Sequence, residues 1–195
     1  MKKIILIILF CSSLIFSQGF KLGEAKGLFF SVGVGPKTPI GDFSATNDIG
    51  IGFDFTASYT DNQFLPVFLY AKLAYQTYPG SIKMYKTTNY ASFTTNEYLI
   101  LPGLKFYLPP VITDEIIIMP IVEVGPSFGL ISNSHVFKES SGEKNYDELL
   151  SKFGLHLGAG FSMFFLETTL NYYFFPKNHS LSLDLIIQIP VFAKI

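Results

Sequence analysis

The chain has 195 residues, room for one domain of ordinary size, and a formal net charge of −1. All of its basic residues are lysines, and so balanced a charge gives no electrostatic footprint for nucleic acid. Hydrophobic residues make up 49 % and aromatic ones 16 %, all Phe and Tyr, yet beyond the first turns of the chain no segment reaches the roughly 18 apolar residues of a spanning helix.

The first element is a targeting segment. "MKKIILIILFCSSLIFSQG" has two lysines, an apolar run from Ile4 to Phe10 and then small residues, the pattern of a secretory signal over residues 1–17 with cleavage after Ser17. The apolar run is short for a membrane anchor, and Phe10 is bulky where lipid modification of Cys11 needs a small residue. Removing Lys2 and Lys3 leaves 12 lysines against 15 acidic residues, a net charge of −3. It also removes the lone cysteine, so the mature chain has no disulfide or thiol chemistry.

A polar leader over 18–26 precedes eight segments of period-two alternation, the signature of strands with two unlike faces. "GLFFSVGVGP" sets Leu28, Phe30, Val32 and Val34 against Ser31, Gly33 and Gly35. "DIGIGFDFTASYT" sets Ile49, Ile51, Phe53, Phe55, Ala57 and Tyr59 against Gly50, Gly52, Asp54, Thr56, Ser58 and Thr60. The third, "FLPVFLYAKLAYQT", has Leu65, Val67, Leu69, Ala71, Leu73 and Tyr75 on its oily side; the fourth, "EYLILPGLKFYL", has Tyr98, Ile100, Leu104, Phe106 and Leu108. The fifth, "EIIIMPIVEVGPSFGLI", has Ile116, Ile118, Val122, Val124, Phe128 and Leu130. In "FGLHLGAGFSMFF", Phe153, Leu155, Leu157, Ala159, Phe161 and Met163 oppose Gly154, His156, Gly158, Gly160 and Ser162. "LETTLNYYFF" sets Leu166 and Leu170 against Glu167, Thr169 and Asn171; "LSLDLIIQIPVF" sets Leu181, Leu183, Leu185, Ile187, Ile189 and Val191 against Ser182, Asp184 and Gln188. Pro66, Pro102, Pro120 and Pro190 fall inside segments and predict bulges there, since each removes a ladder donor.

The connections alternate. "TDNQ", "PPVITD" and a turn around Phe165 and Leu166 are short, whereas 36–47, 78–96 and 132–152 are long, with "YDELLSK" read as one helical turn before the sixth strand. The last loop, "PKNHS", is short and departs from the trend. Short turns at one end and long loops at the other mark an outer-membrane barrel with its turns in the periplasm.

About six large apolar residues per strand cannot fit inside eight strands, whose interior is just wide enough for side chains. The oily face is therefore expected outward, in lipid, and the small polar face inward. The fold expected over 27–195 is an all-β, eight-stranded antiparallel up-and-down transmembrane barrel in a bacterial outer membrane. Asp54, Lys72, Lys105, Glu123, His156, Glu167 and Asp184 fall on the inward face as a polar lumen network, with Asp54 and Lys72 expected to pair. Tyr59, Tyr75, Tyr78, Tyr98, Tyr107, Tyr172, Tyr173 and Phe174 cluster at segment ends, the positions of an aromatic girdle.

"GLFFSVGVGPKTPIGDFS…GIGFDFTASY", "YLILPGLKFYL" and "FGLHLGAGFSMFF…TTLNYYF" resemble the outer-membrane β-barrel domain family of Bacteroidetes-type bacteria, which includes PorT-like proteins. The resemblance covers nearly all of the mature chain and implies an eight-stranded, OmpA-like barrel without catalytic residues, some members serving secretion or gliding. Such barrels often end on an aromatic assembly signal; this chain ends "PVFAKI", which leaves Phe192 slightly inset.

Little else points to chemistry. The G-x-G pairs open no helix in a βαβ unit, which excludes a dinucleotide fingerprint, and His135, His156 and His179 lack metal-ligand spacing. His135 and His179 are placed in outer loops, and His156, the candidate for a lipid-modifying enzyme, points inward by parity. No catalytic, metal or cofactor residue is expected. The partners expected are outer-membrane lipid, the barrel-assembly machinery during biogenesis and a protein met through the three long loops. The expected role is structural, accessory or adhesive. The rival is a soluble periplasmic barrel with its faces reversed around an apolar ligand.

Overall fold

Strands rich in β-branched and aromatic residues with strict two-residue periodicity need a sheet, and a sheet escapes exposed edges by closing on itself. The computed structural model describes residues 26–61, 67–112, 117–163 and 165–194. The signal segment 1–17, the leader up to residue 25, Leu65, Pro66 and Ile116, and the side chain of Phe192, lie outside what is described. Among the described residues the strands are, in order, β1 (Lys26–Ile40), β2 (Gly50–Asp61), β3 (Val67–Pro79), β4 (Tyr90–Tyr107), β5 (Val111–Ile112), β6 (Ile117–Phe137), β7 (Tyr146–Met163), β8 (Leu166–Phe175) and β9 (Asn178–Lys194). β5 is a two-residue ribbon on the start of β6. The other eight pair antiparallel with their chain neighbours, β4 with β6, and β9 pairs with β1 to close an up-and-down barrel.

The stagger of the barrel can be followed residue by residue. Leu28 pairs with Tyr59, Tyr59 with Leu69, Leu69 with Leu104 and Leu104 with Val124. Val124 then pairs with Leu157, Leu157 with Tyr172, Tyr172 with Leu181, and Leu181 with Thr38. The path returns to β1 ten residues beyond its start. Such a shear over eight strands goes with steeply tilted strands and an interior that side chains alone can fill.

The strands run further than the alternation predicts. β4 begins at Tyr90, and β6 and β7 extend to Phe137 and from Tyr146, so about half of 78–96 and most of 132–152 is sheet. "YDELLSK" is the start of β7 and not a helical turn. Helical turns occur instead at Phe43–Thr46 and at Ile82–Thr87, where the Ser81 hydroxyl accepts a hydrogen bond from the Met84 amide at 3.3 Å. These strand ends carry no alternation because both of their faces are polar or mixed.

Among the three described prolines of that set, Pro102, Pro120 and Pro190, a bulge follows at one position only. The β1–β9 register slips between Leu28 and Phe29, opposite Phe192 and Pro190. Pro120 sits in unbroken register opposite Phe161. Around Pro102 the β4–β6 offset is the same at Ile100↔Phe128 and Leu104↔Val124, which puts Pro102 opposite Pro126. Two missing donors fall in one gap, and the register survives without an extra residue.

At that gap the backbones come close. A Cβ on Gly125 would run into the Pro102 carbonyl oxygen, where no shift of a side chain relieves it. Gly125→Val is expected to destabilise the barrel by about 3 kcal/mol or more, read as a lower urea midpoint for the refolded protein in lipid vesicles. Gly129→Ala, whose new carbon would meet the Leu99 side chain at 3.0 Å, is the milder comparison.

Candidate functional site: a lumen of paired charges

Parity decides what each strand presents. Val32, Phe53, Leu73, Leu157 and Leu185 point outward and stand more than half exposed, while their chain neighbours are buried. The oily face is outside, so the reversed arrangement of a soluble ligand carrier is not what this chain adopts.

Inside, β3 contributes Lys72, β4 Lys105, β6 Glu123 and β8 Glu167, each 3 % exposed or less. Lys72 Nζ lies 3.0 Å from Glu123 Oε2, and Lys105 Nζ lies 2.9 Å from Glu123 Oε1 and 2.8 Å from Glu167 Oε2. The Tyr107 hydroxyl donates to Glu167 Oε1 at 2.6 Å and lies 3.3 Å from Gln188 Oε1. The result is a ladder of alternating charge, Lys72–Glu123–Lys105–Glu167, closed at the turn end by a phenol. On the opposite wall Lys37 pairs with Asp184, which also accepts from Ser182 Oγ at 2.6 Å and Asn171 Nδ2 at 3.1 Å. His156 is held at both ring nitrogens, by the Tyr70 hydroxyl at Nε2 and by Ser127 Oγ at 2.9 Å from Nδ1. Nearer the loop end, Lys152 Nζ donates to Asn178 Oδ1 at 2.6 Å, and Asn178 Nδ2 donates to Glu97 Oε1 at 3.1 Å.

All seven inward ionisable residues named from the sequence are buried, but one pairing differs. Asp54 and Lys72 make no ion pair. The β2–β3 register sets Lys72 opposite Thr56 and Asp54 opposite Ala74, and the long lysine crosses the narrow lumen to Glu123. The Asp54 carboxylate instead packs over Gly33, where an added Cβ would lie 2.6 Å from Oδ2, and its Oδ1 accepts from Thr56 Oγ1 at 3.4 Å.

The same parity rule corrects several other expectations. Tyr78 and Tyr173 are buried inside, and Tyr107 turns inward to Glu167, so none of the three is a girdle residue. Tyr173 shares its face with Asn171, and Tyr78 with Gln76; their place at segment ends suggests a girdle, but their parity points them inward. Tyr59 and Tyr98 are exposed and Tyr75 and Tyr172 half-buried; Tyr75 lies between Phe53 and Tyr98 with tilted rings 5.3 and 5.2 Å away. His135 and His179 lie in β6 and β9 and not in loops; His135 stacks on Tyr146 at 4.3 Å, and Tyr172 hydrogen-bonds His179 Nδ1 at 3.1 Å.

Two further inward charges, Lys37 and Glu97, are not evident from the alternation. Lys37 continues the inward series Ser31, Gly33, Gly35, a signal lost when the first strand is taken to end at Pro36. Glu97 shares its face with Leu99 and Leu101, an inward apolar pair that blurs the contrast. Among the described residues no group of three His, Cys, Asp or Glu stands together as a metal site.

No protein-family model matches the chain, and no curated protein matches it. Solved structures share its fold. Neisserial surface protein A from Neisseria is 13 % identical with a TM-score of 0.51, covering 85 % of this chain and 97 % of its own. The N-terminal β-barrel domain of Pseudomonas aeruginosa OprF is 12 % identical with a TM-score of 0.52, covering 85 % and 98 %. The likeness is one of fold: a closed, eight-stranded antiparallel barrel.

Removing one side of a buried pair leaves a charge without compensation, which costs about 3–5 kcal/mol. Glu123→Gln takes away the carboxylate shared by Lys72 and Lys105. It is expected to destabilise the barrel by that amount, whereas Asp54→Asn, which breaks no ion pair, is expected to cost about 1 kcal/mol. Equilibrium urea unfolding in vesicles, followed by tyrosine fluorescence, measures both.

Proposed function

We propose that the chain is a small integral protein of a bacterial outer membrane, exported by the segment 1–17. In this reading its lumen is plugged and carries no traffic. It has no enzymatic activity, and its structural, accessory or adhesive work is done by the loop end. The observation that carries the reading is the inversion of faces: apolar side chains outward on every barrel strand, paired lysines and carboxylates inward. In water such an exterior would aggregate; in lipid it is the favourable one, and closure satisfies the backbone.

The chemistry of the lumen supports the plug. Each lysine of the ladder is engaged by a carboxylate, and Leu99, Leu101, Ile121 and Ile186 fill space between the charges. Ser127 and His156 form no hydrolytic pair, because the far ring nitrogen meets Tyr70 and not an orienting carboxylate. An accessory role in secretion or gliding is supported by the PorT-like segments alone.

Two measurements test this. The unheated protein from a detergent-extracted outer-membrane fraction should run compact on a gel and shift on boiling; recovery in osmotic-shock fluid without a shift would refute the placement. Leu157→Arg, halfway along the outward face of β7, should cost about 2–4 kcal/mol in vesicles, the penalty for a cation at mid-bilayer.

A further inference from the structure

The loop end is not symmetric. β4, β6 and β7 rise together as a wall, while the β8–β9 hairpin turns early at Pro176–Lys177. β7 pairs with β6 all the way up to Tyr146, but its pairing with β8 begins only at Leu155↔Phe174. From Tyr146 to Phe153 one side of β7 therefore has no strand beside it among the described residues. The other edge of the same wall is covered: the Gly80 amide donates to the Phe93 carbonyl at 2.7 Å, and the Tyr85 hydroxyl accepts from the Phe93 amide at 3.0 Å.

Open edges are normally blunted by proline, a bulge, charged side chains or a covering segment. Among the described residues this one has no proline, no bulge and no covering segment, and its charges are acidic except for one. Its single lysine, Lys152, is turned down onto the Pro176 carbonyl and Asn178 at 2.9 and 2.6 Å. Leu149, on the outward face of the edge, is 71 % exposed. Lipid does not account for it. Its register partner on β6 is Ser132, and Ser134 follows opposite Asp147, so this level of the wall is polar and stands above the apolar band. Asp147 and Glu148 beside it are exposed as well.

We infer that the Tyr146–Phe153 edge of β7 is a docking site for an extended segment of another polypeptide, which adds to the wall as a strand. Backbone hydrogen bonds supply the affinity, and alternate side chains supply the selection. The occupant carries an apolar residue against Leu149 and a lysine or arginine two positions away against Asp147. A second copy in the same membrane is a poor occupant. Its β7 also descends from the loop end, and a two-fold along the membrane normal would cross the two strands at about twice their tilt, about 70–90°. No ladder forms at that angle.

The inference deepens the loop-end reading above, and the gel shift of the same preparation reports the fold and placement separately. The test uses the refolded barrel in vesicles and a fluorescent peptide of alternating Lys, Val, Thr and Val. Fluorescence anisotropy is expected to show saturable binding on the order of micromolar. The same peptide N-methylated at alternate residues should bind at least about tenfold more weakly, as should a version with Glu for Lys. Asp147→Lys and Leu149→Lys should weaken the parent peptide while leaving the gel shift intact. Equal binding of the N-methylated peptide, or no saturable binding of the parent, overturns strand addition. Quantitative disulfide dimers of Ser151→Cys in vesicles would assign the edge to a second copy and overturn the choice of occupant.

Discussion

Closure with a ten-residue stagger is the constraint on which everything else depends. It removes the sheet's edges, tilts the strands and leaves an interior with room for side chains and little more. A charge placed there loses bulk water and must find a partner within reach. Lys105–Glu123 and Lys37–Asp184 join adjacent strands, whereas Lys72 on β3 reaches past β4 to Glu123 on β6, and Lys105 on β4 reaches Glu167 on β8. The latter two pairs tie non-adjacent strands together, so the network acts as a set of cross-struts as well as a filling. Their stabilising role is conditional. A complete ladder contributes little over an apolar filling, but an incomplete one is costly.

The glycines belong to the same argument. Asp54 lies over Gly33, Asp184 over Gly35, and the Asn171 amide against Gly158, where an added carbon would meet a polar atom at under 3 Å. In a lumen so narrow these three polar side chains lie where a glycine leaves the space open. The alternation Gly–apolar–Gly, which in another setting would look like a nucleotide-binding turn, here makes room for carboxylates.

How much of this is legible in the sequence depends on whether a feature is local to one strand. Period two decides which face each residue occupies, and that is why Asp54, Lys72, Lys105, Glu123, His156, Glu167 and Asp184 can be assigned inward from the residue pattern alone. Pairing across the lumen depends on shear and tilt, which no single segment encodes; the expected Asp54–Lys72 pair fails for that reason. The upper ends of β4, β6 and β7 are hidden by a different cause. "YASFTTN" and "YDELL" leave the apolar band, so neither face need be oily, and the alternation that betrays a strand disappears while the hydrogen-bonded ladder continues. Tyr78 and Tyr173 show a third cause: an aromatic at a strand end suits a girdle by position, and only parity reveals that it points inward.

The division between the two faces also explains how this fold persists at 12–13 % identity to barrels of known structure. Lipid asks of the outer face only that it be apolar, so Phe, Leu, Ile and Val exchange freely there. The inner face asks for matched charge and volume, which many different sets of pairs satisfy. Neither demand fixes a motif at a given spacing, and the backbone closes on register alone. What such a chain can specialise is the part that leaves both environments. In this protein that part is the wall above the band, where β7 outruns β8 and a leucine beyond the reach of lipid stands beside an unpaired strand edge.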